Sequence, residues 1–305
     1  MGTTHAEPVR DRGRLSLIAC ASGLPFARAV REHLAVIIQE CSPQLENGYL
    51  RQSSEVEFSN GEIKTVIDEN IRGDDVYVIQ SMDDPFSHRS VNDNLMAMVT
   101  ALHAAAQSDA ERITAVVPQF PYSRQERKKT REAITASVVC RLLEDAGADR
   151  VITLDIHAEA IMGFFRHCTL ENLHASTVIL DHFVENFPTE NLVVASPDVG
   201  GADRARHYAN RLGCSLAIVH KARDYSKISV IESMRLVGDV EGKDVLMPDD
   251  LIATGGTLLK ASRLLKEQGA RRVYLACSLP YFNGTAVDLF DQGREDGHFD
   301  GLIGT

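Results

Sequence analysis

The 305-residue chain has no tryptophan, only six cysteines, and no apolar stretch near the roughly 18 residues that a spanning helix needs. The cysteines, Cys20, Cys41, Cys140, Cys168, Cys214 and Cys277, are scattered without a Cys-x-x-Cys pair. That spacing argues against a thiolate zinc site and a disulfide framework, and leaves buried thiols. Met1–Arg14 mixes acids and bases without the apolar core of a secretory signal, so a cytoplasmic protein is expected. Basic residues are outnumbered, 32 Lys and Arg against 43 Asp and Glu, for a net charge of −11. The molecule as a whole therefore repels nucleic acid and anionic lipid, and neither is an expected partner. Any anionic ligand must be held by a local cluster. Gly-x-x-x-x-Gly-Lys-Ser/Thr is also absent, which excludes a Walker-type phosphate loop.

What remains is an ordinary globular composition, 44% apolar and 25% charged, on a chain long enough for about two domains. Short apolar runs recur at Val76–Ser81, Ile113–Pro118, Val151–Asp155, Leu192–Ser196, Leu216–Val219, Val245–Met247 and Val273–Cys277. Such runs suit strands covered on both faces, as in parallel sheets. Between them lie amphipathic stretches. Val91, Leu95, Met98, Val99 and Leu102 share one helical face, as do Ile134, Val138, Leu142 and Leu143, and Leu258, Ala261, Leu264 and Leu265. Two helices are expected to stop at matching signals, Ala146-Gly147-Ala148 and Gln268-Gly269-Ala270, an echo that suggests two related halves. The expectation is an α/β protein of two doubly wound domains with mainly parallel sheets, residues 1–168 and 169–305, their boundary inside 165–175. Ligands of such sheets bind beyond the carboxyl ends of the strands.

The strongest local signal lies at one of those ends. Val245–Thr257 reads as a strand closing on Pro248, Asp249 and Asp250, then a small-residue turn, then a helix over Leu258–Glu267. Backbone N–H groups of Thr254, Gly255, Gly256 and Thr257 suit a phosphate, aided by the helix dipole and two hydroxyls. Asp249 and Asp250 suit ribose hydroxyls or a Mg²⁺ shell. A capped helix after an acidic turn is the plainer account. Lacking an N–H, Pro248 belongs at a strand end or edge.

This string resembles the phosphoribosyl-diphosphate binding motif of phosphoribosyltransferases and of ribose-phosphate diphosphokinases, the phosphoribosyl diphosphate (PRPP) synthetases. Further segments resemble the synthetases in order and spacing: Phe58–Glu62, Glu69–Tyr77, Asn92–Met96, Phe120–Gln125, Asp155–Ala158 and Ser196–Gly201. The resemblance spans roughly residues 50–285. It implies two phosphoribosyltransferase-like domains and transfer of the β,γ-diphosphate of ATP to the C1 hydroxyl of ribose 5-phosphate, releasing AMP. It also implies a homo-oligomer built from dimers, with a hexamer among its sizes, in nucleotide precursor supply.

Residue by residue, the resemblance puts adenine on Phe58, with Asn60 and Glu62 at its polar edge, and ATP on Arg124 and Gln125. It puts ribose 5-phosphate on Asp249, Asp250 and Thr254–Thr257, and Mg²⁺ on the nucleotide phosphates through His157 and Asp198. Lys221 and Arg223, in Val219–Asp224, match its catalytic Lys-x-Arg at the start of a flexible loop. They alternate as two cations on an extended segment would to face one way. Departures are Ala253 where the family usually has Asp, a loop from Gln125 to Arg131 about a residue shorter, and an end at Gly301–Thr305 that suggests truncation. Two other functions compete: a nucleobase phosphoribosyltransferase, which shares only the phosphate-cradling string, and a catalytically silent synthetase-associated homologue, in which the Lys-x-Arg segment should be lost.

Overall fold

The computed structural model describes residues 13–41, 49–224 and 231–305, without the side chains of residues 41, 221–224 and 231–233. The chain divides into two compact units, meeting in sequence at Leu173/His174.

In the first unit the order is β1 (Leu15–Ala19), α1 (Leu24–Cys41), β2 (Ser53–Glu57), β3 (Ile63–Ile67), β4 (Asp75–Ile79), α2 (Val91–Gln107), β5 (Arg112–Val116), α3 (Thr135–Asp145), β6 (Arg150–Leu154) and β7 (Thr169–Leu173). Five strands form a parallel sheet in the order β1-β4-β5-β6-β7, while β2 and β3 make a separate antiparallel hairpin. Strand side chains alternate between faces. Ile18, Val76, Val78, Ile113 and Ala115 meet Met98 and Leu102 of α2 and Val139 and Leu143 of α3. Leu17, Tyr77 and Ile79 meet Ala27, Val30 and Leu34 of α1. The expected face of α3 is rotated: Ala136, Val139, Cys140 and Leu143 are buried, whereas Val138 and Leu142 are exposed. The buried set keeps the i, i+3, i+4, i+7 spacing with small residues that let the helix approach the sheet. The boundary falls the five residues of β7 after the expected 168/169, because Thr169–Leu173 pairs with β6 despite its polar composition.

The second unit runs α4 (Ser176–Asn186), β8 (Leu192–Ser196), α5 (Ala202–Leu212), β9 (Ser215–Asp224), β10 (Ile231–Val237), β11 (Asp244–Ile252), α6 (Gly256–Glu267), β12 (Arg272–Pro280), α7 (Ala286–Glu295) and β13 (Gly301–Gly304). Its six strands are ordered β10-β9-β8-β11-β12-β13, all parallel except β10. From β8 the chain crosses through α5 to β9 on one side; from β11 it crosses through α6 to β12 on the other. Strand order thus reverses between β8 and β11, which is where an open α/β sheet opens a crevice at its carboxyl edge. Pro248 is not at a strand end as expected but within β11, opposite Ala276 of β12. Pairing with β8 has ended at Leu246, so one flank of the strand is free of the ladder there. The matched helix stops recur as positive φ at Gly147 and Gly269, 111° and 86°.

Cys20, Cys140, Cys168 and Cys277 are buried free thiols, and burial pushes the last three up to about 12. Among the described residues no helix is long and apolar enough to cross a membrane.

The turn between β11 and α6 rests on Gly255, which takes φ 72° and whose ideal Cβ would lie 2.0 Å from Cε2 of Phe290. Left-handed backbone and an occupied Cβ position act together. Gly255→Ala should destabilise the second unit by about 2–4 kcal/mol, read as a lowered urea midpoint. A midpoint equal to that of the unmutated chain would contradict this packing.

Candidate active site

At the carboxyl edge of the second sheet, β11 delivers Asp249 and Asp250 in succession. The Asp250 N–H donates to Asp249 Oδ1 at 2.9 Å. Arg204, in the first turn of α5, reaches both carboxylates, 3.6 Å to Asp249 and 3.2 Å to Asp250. Asp249 keeps 23% of its side-chain surface exposed and Asp250 9%. Burial first, and then the Asp250 charge, push Asp249 up to about 7, with Arg204 opposing both.

Beyond Ile252 the chain turns through Ala253 and Thr254 to Gly255, which caps α6 with no side-chain hydrogen bond, and no acid occupies the first helical turn. The positive end of the helix therefore keeps its pull on an anion. Gly256 contrasts with Gly255: a Cβ there would meet nothing within 4 Å, so open space adjoins the first residue of the helix. The Ala253 carbonyl accepts from Asn283 N at 2.8 Å, tying the turn to the segment after β12. On the neighbouring strand, Asp198 closes the turn from β8 into α5: its Oδ1 accepts from Gly201 N at 2.9 Å, and its carbonyl accepts from Ser196 Oγ at 2.6 Å. Asp198, Asp249, Asp250 and the residues 254–257 thus rise from the two strand ends that flank the switch in strand order. Lys221 and Arg223 stand on β9, their backbone opposite Met234 and Glu232 of β10. The expected loop starts later than Lys221, since β9 continues to Asp224; the side chains of both cations lie outside the described residues.

In the first unit, Arg124 and Gln125 are exposed on the segment leaving β5. It is shaped by Tyr122, whose φ is 59° and whose phenol donates to Asn92 of α2, and by Gln125 N donating to the Tyr122 carbonyl at 2.9 Å. His157 is exposed just after β6, past Asp155 at φ 42°. Leu154 N donates to the Pro118 carbonyl at 3.0 Å, so these exits leave adjacent strand ends side by side. Phe58, Asn60 and Glu62 occupy the tip of the β2–β3 hairpin. Phe58 is 48% exposed, a surface aromatic and not a core one. Asn60 Oδ1 accepts from Glu62 N at 3.2 Å, which shapes the tip.

Arg204 escaped the sequence reading. Its signal was a broken local rule: a cation in the first turn of a helix opposes the dipole, and here Asp249 and Asp250 supply the reason.

Comparison with known proteins assigns both units. Residues 15–147 match the family model described as the N-terminal domain of ribose phosphate pyrophosphokinase, and residues 171–290 match the phosphoribosyl transferase domain. The chain is 42% identical over 275 residues to the ribose-phosphate pyrophosphokinase of Chlorobaculum tepidum, spanning 90% of this chain and 79% of that protein. It is 40% identical over 282 residues to that of Bacillus caldolyticus, spanning 92% and 83%. A crystal structure of phosphoribosylpyrophosphate synthetase from Mycobacterium smegmatis superposes with a TM-score of 0.81 at 32% identity, covering 96% of this chain and 94% of that one. With both domain models matched in order and this identity sustained over most of its length, the chain belongs to the ribose-phosphate pyrophosphokinase family.

Proposed function

We propose that this chain transfers the β,γ-diphosphate of ATP to the C1 hydroxyl of ribose 5-phosphate, giving PRPP and AMP. The observation that carries the reading is the run from Asp249–Asp250 through the Gly255 turn into α6, on a chain whose first unit matches the N-terminal domain of ribose phosphate pyrophosphokinase. A nucleobase phosphoribosyltransferase would account for the second match alone.

In this reading the N–H groups of Thr254–Thr257 and the end of the α6 dipole hold the 5-phosphate. Asp249 and Asp250 accept the ribose hydroxyls, with Ala253 leaving out one contact the family usually has. Phe58 stacks on adenine, Asn60 and Glu62 meet its polar edge, and Arg124 and Gln125 contact the nucleotide. The C1 oxygen attacks the β-phosphorus and its proton passes to solvent, the bond from that phosphorus to the α,β-bridging oxygen breaks, and AMP leaves with that oxygen. Lys221 and Arg223 are assigned to neutralise the charge that develops on the transferring group and on AMP.

Magnesium takes oxygen ligands and retains water, so one imidazole and one carboxylate suit an ion carried by the nucleotide phosphates. His157 and Asp198 would contribute to its shell, and the bound ion would offset phosphate charge. We further place the protein in the cytoplasm, as a homo-oligomer built from dimers.

Lys221→Ala should lower AMP formation by about 10²–10³ while leaving the nucleotide dissociation constant unchanged; equal loss of binding would remove Lys221 from the transition state. Ionised Asp249 accepts ribose hydroxyls on both oxygens, and protonation turns one of them into a donor. KM for ribose 5-phosphate should therefore rise as pH falls through about 7, and Asp249→Asn should abolish that limb. A limb that persists in the Asn variant would assign it to another group.

A further inference from the structure

Strand β2 contributes no apolar residue to the core, and its one apolar side chain, Val56, is 44% exposed. A two-stranded ribbon is marginal by itself, so something must fix this strand to the unit. On the β3 side the fixing is ordinary: Ile67 packs against the core, and Thr65 Oγ1 lies 3.1 Å from Thr100 Oγ1 of α2. On the β2 side it is polar: Ser53 Oγ donates to the Ala19 carbonyl at 3.3 Å, and the remaining bonds run through two carboxylates. Glu55 and Glu57 alternate and so leave one face of the strand. Both meet Arg89, whose Nη1 bonds Glu55 and whose Nε bonds Glu57 at 3.1 Å. Glu55 also accepts from Ala21 N at 3.0 Å, just past β1. The Arg89 and Glu55 side chains are 9% and 6% exposed, so this is a buried pair and not a solvated surface contact.

The far end of Arg89 is equally constrained. It precedes Ser90, the cap of α2, where Ser90 N donates to Asp93 Oδ2 at 2.8 Å and Asp93 N to Ser90 Oγ at 3.3 Å. Directly after Glu57 comes the tip, closed on itself by Phe58 N to the Glu62 carbonyl and Gly61 N to the Phe58 carbonyl, each 2.8 Å. A tip so bonded moves with its base.

We propose that Arg89 is a positioning residue for the nucleotide, fixing the β2–β3 hairpin so that Phe58, Asn60 and Glu62 are held where adenine binds. This rests on the reading of that tip as the adenine contact. Lysine retains the charge, but its three donors radiate from one nitrogen and do not reproduce the planar fork that bonds Glu55 through Nη1 and Glu57 through Nε.

The test is steady-state kinetics on the full-length protein with Arg89→Lys, the double variant Arg89→Met/Glu55→Gln, and Phe58→Ala. The double variant removes both members of the buried pair, so a folded protein is available even if an unpaired Glu55 prevents folding. KM for ATP should rise about tenfold in Arg89→Lys, and at least as much in the double variant and in Phe58→Ala. KM for ribose 5-phosphate and kcat should stay within about twofold in Arg89→Lys and in the double variant. Should KM for ATP rise in Phe58→Ala alone, Arg89 does not position the tip and the inference fails by itself. No rise in any variant would overturn the adenine contact and the inference together. A fall in kcat with both KM values raised, in step with a lower melting temperature, would make Arg89 merely structural.

Discussion

Two carboxylates on successive residues of a half-buried strand end repel each other and resist desolvation, and they are tolerable only if a cation reaches both. Arg204 does so, and much of the second unit is arranged around that requirement. It places α5 beside β11 across the reversal in strand order, and it puts a positive side chain in a helical turn that ordinarily disfavours one. The residual conflict appears in Asp249, still pushed upward by burial and by its neighbour. A sugar diol offers such a pair hydroxyl donors without adding charge.

The sheets and the β2–β3 hairpin are attached differently. The parallel sheets are held chiefly by alternating apolar faces, although β11 also carries ion pairs: Asp244 at its start, fully buried, meets Arg271 and Arg272, and Asp249 and Asp250 near its end meet Arg204. The β2–β3 hairpin has almost no apolar surface to give on its β2 side, and it is joined through carboxylates, a guanidinium and backbone amides. Directional bonds of this kind set orientation more sharply than apolar contact does. That distinction matters for an element whose tip presents an aromatic ring.

How much was legible in the sequence follows from the same physics. Leu192–Ser196 coincides with β8, and the apolar runs near residues 76, 113, 151, 245 and 273 mark β4, β5, β6, β11 and β12, because central strands bury both faces. Strands with little apolar content, Ser53–Glu57 and Thr169–Leu173, leave no such trace, and missing the second displaced the domain boundary. The small residues Ala136 and Cys140 carry weak hydrophobic signal, so the buried face of α3 was read one position off. The acids, the turn and the small residues of 249–257 were legible because they are contiguous. Arg204 and Arg89 were not, since each acts on residues brought near only by the fold, 45 and 46 positions away for Arg204 and 34 and 32 for Arg89.

Gly255 sits against Phe290, and Phe290 in turn meets Phe282 and Phe299 edge-on at ring separations of 5.3 and 5.8 Å. The loop ahead of α6 is therefore backed by an aromatic stack that has no polar atom to offer a ligand. On the proposed reading, an anion arriving there would find its donors already arranged, at little cost in chain entropy. Inherited variation at position 290 would then be felt as weakened ligand capture, through the turn it supports.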